Sequence, residues 1–315
     1  MKKKTWKLLF ITVLVIFLFS SGFLVKTIYG YRKAEGEYDK IAYEAVKVIP
    51  GVLDEALADS GGSGQNAGSV DAGANAQQGN GSDGGVSDQA VDLNRMLSID
   101  FGYLKKKNPD IVAWLDIPGT GISYPVAKTG DNDFYISHGI NGQKSGSGAV
   151  FMDYRNKADL TDSNTILFGH NMRNGSMFAG LRQFKSQSYR NSRPYVDLYF
   201  PDGRVRFEIY SCYEESASGE NFPTLFTGKD ERNAFLSAAA ARSLYKTDVV
   251  PEESGHTLML ATCTGKGYSH RLVVHAAQIE EHAGRMEEHA EQMEDSAVQA
   301  EGYIAQTEGN GLSDE

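Results

Sequence analysis

Cys263 closes the apolar run Thr257-Leu258-Met259-Leu260-Ala261-Thr262 and is followed at once by a glycine-containing turn. Eight residues on, Arg271 opens the run Leu272-Val273-Val274. A hairpin between the two runs returns the chain antiparallel, so Arg271 is predicted to stand beside Cys263 across the loop. Far upstream, Thr165-Ile166-Leu167-Phe168-Gly169 leads into His170, again at the end of an apolar run. A thiol, an imidazole and a guanidinium at strand ends form an acyl-transfer set. The thiolate attacks an amide carbonyl, an imidazolium protonates the departing amine, and a fixed cation stabilises the oxyanion. Arginine suits the third part because it stays charged and offers several donors. The spacing alone leaves a purely structural cysteine open.

The other candidates have less company. Cys212 lies inside the alternating run Phe207-Glu208-Ile209-Tyr210-Ser211-Cys212-Tyr213 and reads as a small sheet residue. Two cysteines exclude a disulfide-stapled scaffold and a Cys-rich zinc or iron–sulfur module, and the local sequences argue against pairing Cys212 with Cys263. His270 is expected on the strand face opposite Arg271, while His138, His256 and His275 have no partner at a motif position.

The elements that must hold this set are short. Ile111–Ile117, Gly148–Met152, Thr165–Phe168, Tyr195–Phe200, Val205–Tyr213, Thr257–Thr262 and Leu272–Ala277 read as strands between Gly, Asn and Asp clusters. Many short strands with frequent turn signals predict a mainly β fold, a barrel or sandwich, with Asp202-Gly203 as a hairpin turn. Helices are predicted over Leu93–Lys107 and from about Gly228 to Tyr245, the second opened by Thr227 and Asp230 as a capping pair.

The chain divides into five segments. Lys2, Lys3, Lys4 and Lys7 precede an uncharged run from Leu8 to Val25, and eighteen helical residues reach about 27 Å, enough for a bilayer core. With no small-x-small cleavage site closing the run, residues 1–30 read as an uncleaved anchor. The lysines predict a single pass through the plasma membrane, with the N-terminus cytoplasmic and the rest extracytoplasmic. Residues 31–58 read as a juxtamembrane helix with Ile41, Ala45, Val48 and Val52 on one face, interrupted by Pro50-Gly51. Residues 59–92 form a glycine-rich linker, expected to lift a domain off the membrane without fixing its orientation. Residues 93–278 are the folded domain.

Residues 279–315 carry eleven acidic side chains against one arginine, a net of −10 that equals the charge of the whole chain. A neutral body with an acidic tail argues against nucleic-acid binding. Written in sevens from Glu280, the tail places Ala283, Met286, Ala290, Met293, Ala297, Ala300, Ile304 and Thr307 at a/d-type positions. It reads as a solvated acidic helix, with docking or self-association as the alternative and His282 with His289 as a loose metal pair.

Thr257-Leu258-Met259-Leu260-Ala261-Thr262-Cys263 with Arg271 resembles the TLxTC…R pattern of the sortases, membrane-anchored cysteine transpeptidases of Gram-positive bacteria. Leu260-Ala261 fill the place where many sortases carry one variable residue, and L-[SA]-T-C is what class B members show. Phe168-Gly169-His170-Asn171-Met172, Gly175-Ser176-Met177-Phe178, Phe151-Met152-Asp153-Tyr154-Arg155-Asn156, Asn108-Pro109-Asp110 and Trp114-Leu115-Asp116-Ile117-Pro118-Gly119-Thr120 are similar to class B segments. The resemblance covers 93–278 and leaves out the linker and the tail.

It implies a sortase-like closed β-barrel with an N-terminal helix and a helix inserted before the cysteine strand. It implies Cys263 as nucleophile, His170 as acid/base and Arg271 as oxyanion or substrate-carbonyl partner. Phe168, Ala261, Thr262, Asn132 and Ile136 would line the groove. The implied substrates are secreted proteins with a C-terminal sorting signal of the NPxT[GN] or [SP]PxTG kind. The implied acceptor is an amine of lipid II or of the peptidoglycan cross-bridge, and the chemistry needs no metal or organic cofactor. Two other readings stay open: a pilus-polymerising sortase, and a membrane-tethered binding module with a structural Cys212–Cys263 disulfide.

Overall fold

A computed structural model describes residues 2–49, 93, 95–216, 222–252, 255–263 and 269–282. Eight strands close into a barrel, with two short helices, α3 (Phe134–Ser137) and α4 (Gln187–Ser192), in its connections. The strands are β3 (Ile111–Asp116), β4 (Ser123–Ala127), β5 (Val150–Met152), β6 (Asn164–Phe168), β7 (Tyr195–Phe200), β8 (Gly203–Ser216), β9 (Thr257–Cys263) and β10 (His270–His282). They run in the order β10-β8-β7-β3-β4-β5-β6-β9, with β9 pairing back onto β10. The β4–β5 and β6–β9 pairs are parallel and the others antiparallel.

β9 is apolar almost throughout because both of its faces are covered. Leu258 and Leu260 point into the barrel core with Leu115 and Phe207, whereas Met259 and Ala261 point outward. There helix α5 (Lys229–Arg242) lays Leu236 and Ala239 across Ile166, Met259 and Val273. α5 covers only the middle of this outer face. Phe168, Ala261, Cys263 and Arg271 stand at its uncovered end, in register across β6, β9 and β10.

Several elements differ from the sequence expectation. One helix, α1 (Lys2–Ala45), runs unbroken through the anchor and most of the juxtamembrane segment. It stops before Val48, which lies instead in β1 (Val46–Ile49), paired with β2 (Met96–Ile99); Val52 falls outside the described residues. β2 also shortens the helix expected from Leu93 to α2 (Phe101–Lys107). Its N-cap is Asp100, whose carboxylate accepts from Tyr103 N at 2.7 Å and so fixes the start.

The pairing brings Ile49 next to Met96, and the glycine-rich segment between them in sequence lies outside the described residues. β4 escaped notice because Pro125 sits within it, opposite Trp114. Phe200 pairs with Gly203, so Pro201 and Asp202 are the hairpin's loop residues. At α5 the N-cap is Gly228, and the capping carboxylate is that of Glu231, accepting from Thr227 N at 2.6 Å. β10 continues four residues past Gln278, pairing Glu281 and His282 with Val205 and Arg204 of β8. The heptad positions and the side chains of His282 and His289 lie outside the described residues.

His275 is fully buried beneath α5, stacked on Tyr213 with its Nε2 3.0 Å from the Tyr213 hydroxyl. Tyr210 and Phe235 also face it. Burial, with the nearby Arg242 charge, pushes its pKa down to about 3. The folded protein keeps this ring neutral where the unfolded chain protonates it, so acidification from about pH 6.5 towards 3 removes stability, by roughly 1 kcal/mol per pH unit. Urea unfolding at pH 7, 5.5 and 4 should show a shallower pH slope for His275→Phe than for the parent chain; equal slopes would refute this assignment.

Candidate active site

The site is built where three strands end. Arg271 pairs with Cys263 across β10 and β9, and its Nη1 lies 3.3 Å from the Cys263 Sγ. The sequence expectation of this juxtaposition rested on hairpin geometry alone. Both cysteines are free, Cys212 fully buried and Cys263 half-buried, so the structure does not contain the disulfide of the binding-module alternative. Burial pushes the Cys212 thiol up to about 12, which leaves it inert.

His170 follows the end of β6, and its Nε2 is 2.7 Å from the carbonyl oxygen of Ile136. A carbonyl only accepts, so Nε2 carries the hydrogen and Nδ1 is left for proton exchange. The backbone around it is pinned from both sides. Phe178 N donates to His170 O at 2.9 Å, Thr262 Oγ1 donates to Gly169 O at 2.6 Å, and Asn171 Nδ2 donates to Cys263 O at 2.9 Å. The last two bonds tie the histidine segment directly to the cysteine strand.

The three residues border one cleft of about 290 Å³. Phe168, Ala261, Thr262, Asn132 and Ile136 all lie along it. Thr262 itself is buried and spends its hydroxyl on Gly169, so its part is structural as well as lining. Of the cleft's polar wall, sequence reasoning named Asn132 as lining but missed Asp153 and Arg155. There Asp153 receives Arg155 through Nε and Nη2 at 2.9 and 2.8 Å and Asn132 Nδ2 at 3.2 Å, and Arg155 Nη2 also reaches Phe222 O at 3.0 Å. Burial pushes the Asp153 carboxyl up, but the Arg155 bonds and charge outweigh it and hold it below the usual range. The closely spaced Asp153-Tyr154-Arg155 was the available signal.

Gly148 was also missed, and only geometry exposes it. Its φ is +58°, and a Cβ there would lie 2.5 Å from Tyr135 O and 2.9 Å from both Ile136 O and His170 Cδ2. Two of these obstacles are backbone and cannot swing away. Gly148→Ala is expected to cost about 1–3 kcal/mol of stability through the left-handed backbone and, by displacing the ring, to slow turnover at least tenfold. Thermal unfolding beside peptide cleavage separates the two effects.

A free thiol, an imidazole with one open nitrogen and a guanidinium on the sulfur, all on a closed β-barrel, are the groups that cysteine acyl transfer uses. The sortase domain family matches residues 115–279. Sortase B of Listeria monocytogenes is 34% identical over 173 residues, covering 54% of this chain and 70% of that one. Among solved structures, Clostridium perfringens sortase B aligns with TM-score 0.55 and 37% identity over 57% of this chain and 100% of that one. A Staphylococcus aureus sortase B–substrate complex aligns with TM-score 0.54 and 27% identity over 57% of this chain and 84% of that one. The chain belongs to the sortase family, whose members are cysteine transpeptidases, and within it is class B-like.

Proposed function

We propose that this chain is an anchoring sortase in which Cys263 is the nucleophile, His170 the general acid and base, and Arg271 the oxyanion partner. The observation that carries this is the 3.3 Å approach of Arg271 Nη1 to Cys263 Sγ in a cleft that His170 also borders. The guanidinium stands beside the attacking sulfur and meets the charge that develops on the substrate carbonyl. Attack breaks the peptide bond after the motif threonine and leaves the acyl half as a thioester on Cys263. His170 supplies the proton to the departing amine. An incoming amine then attacks the thioester, His170 takes its proton, and the thiolate leaves.

The substrates on this reading are secreted proteins bearing an NPxT[GN] or [SP]PxTG signal, joined to an amine of lipid II or of a cross-bridge. The apolar wall of Phe168, Ala261 and Ile136 suits the motif's backbone and small side chains, and Asn132 and Arg155 offer donors to its carbonyls. Leu9 to Val25 of α1 is uncharged, mostly apolar and almost wholly exposed. Such a surface suits the hydrocarbon of a bilayer, which supports a single-pass anchor with the barrel outside the cytoplasm.

Intact mass of the full chain after incubation with a panel of sorting-motif peptides tests the reading. A gain equal to the acyl half of one peptide, absent in Cys263→Ala, is expected and identifies the motif. No adduct with any peptide while Cys263 still reacts with a thiol reagent would overturn it.

A further inference from the structure

The apolar run and the catalytic barrel share one helix. α1 is continuous from Lys2 to Ala45, so no joint separates Val25 from the stretch that packs on the barrel. That packing begins early. Tyr31 is partly buried against the core, and Tyr38, Ile41 and Ala45 are buried in it, a stripe at spacings of three, four and seven. At 1.5 Å per residue, Tyr31 lies about 9 Å beyond Val25 and Tyr38 about 20 Å beyond it. Helical side chains lean towards the N-terminus, so the Tyr38 hydroxyl sits nearer the apolar run than its own Cα. It donates to Gly148 O at 2.9 Å, and Gly148 backs the ring of His170. Beside it, the segment Gly139–Gly146 and residues Gly30 to Tyr38 of α1 enclose a hollow of about 150 Å³, with Asn141 Nδ2 3.4 Å from Glu37 Oε2.

The other pole is fixed by the same helix. β1 starts where α1 ends, about 30 Å from Val25, and pairs with β2. Leu97 of β2 donates its N–H to the Tyr199 hydroxyl, next to the Pro201–Asp202 hairpin. Asp202 shares a cavity of about 710 Å³ with His256 and Gln278, which flank the last β9–β10 pair, Thr257 with Ala277, at the end opposite to Cys263 and Arg271.

We infer that the segment Gly139–Gly146, with the flank of α1 from Lys26 to Glu37, is a contact surface for anionic lipid headgroups. It holds the barrel with its Cys263 pole turned to the bilayer and its Asp202 pole turned away. Exposed Lys26, Arg32, Lys33 and Lys144 face the headgroup level, against Glu35 and Glu37. This rests on the anchor reading of Leu8–Val25. Access to the cleft is then from the membrane side, and the last described pair of β10, His282 with Arg204, lies towards the distant pole.

Full-length Cys263→Ala chain carrying either Gln143→Cys or Asp202→Cys, both exposed positions, is labelled with a fluorophore and reconstituted in phosphatidylglycerol–phosphatidylcholine vesicles. Headgroup spin-labelled lipid serves as quencher. Quenching at position 143 should exceed that at 202 at least threefold, and should stay so when residues 54–90 are deleted. Equal quenching at the two positions, as a freely swinging barrel gives, or stronger quenching at 202, would overturn the inference. Loss of the chain on carbonate extraction would overturn the anchor reading instead, and the inference with it.

Discussion

Arg271→Ala is expected to lower kcat for sorting-peptide cleavage by about 10²–10³-fold, with KM changed much less. Removing one fixed donor from a developing oxyanion typically costs this much, because nothing in a partly desolvated cleft reorganises in time to replace it. Arg271 has a second reason to matter. Its Nη1 is already 3.3 Å from the sulfur before substrate arrives, so its loss also removes a contact that fixes the position of the Cys263 side chain. Arg271→Lys keeps the charge but not the planar fork, and should recover only part of the rate. Steady-state kinetics on a fluorogenic peptide, with circular dichroism to confirm folding, reads this out. A loss confined to KM would assign Arg271 to ground-state binding alone.

The largest effect on stability is expected away from the cleft. Asp116 and Asp197 are directly paired across β3 and β7, and neither is exposed to solvent. Arg95 Nη2 donates to both Asp116 oxygens at 2.8 and 2.9 Å. Arg206 grips Asp197 through Nε and Nη2, both at 2.8 Å, and Arg204 stands 3.8 Å away. Burial pushes the Asp116 carboxyl up, Arg95 opposes that shift, and the Asp197 charge adds to it. Arg206→Ala leaves Asp197 buried with one distant cation, a change that typically costs about 3–5 kcal/mol. Against a total of about 5–15 kcal/mol, that is enough to unfold much of the population near 37 °C. Replacing the pair together, Asp197→Leu with Arg206→Met, should restore part of the loss, since no unpaired charge is then left behind. Denaturant unfolding of the three proteins checks both statements, and a single-variant loss below 1 kcal/mol would show that water reaches Asp197.

The gathering of the candidate site residues about one cleft was legible because they sit at strand ends, where an apolar run meets a polar residue. Cys263, His170 and Arg271 all have that signature. Sequence reasoning failed where the fold departs from local preference. Pro125 hid β4, since proline in a central strand is normally a counter-signal. Val46–Ile49 read as helix because its residues continue the spacing of α1, and only the distant partner Met96–Ile99 makes it a strand. Gly148 was invisible, as its role depends on what approaches it in space. The Asp116–Asp197 pair was equally hidden, because two carboxylates eighty-one positions apart give no hint that they share one face.

The β1–β2 pairing has a consequence for how this protein can change. Ile49 and Met96 are cross-strand neighbours, so the chain between them begins and ends at almost the same place. Closing a longer loop costs only about 0.6 kcal/mol for each doubling of its length. Selection on catalysis therefore exerts little hold on the length or letters of this stretch, and drift there leaves the cleft where it was. It is the natural site at which to graft a reporter or a second module onto a working transpeptidase.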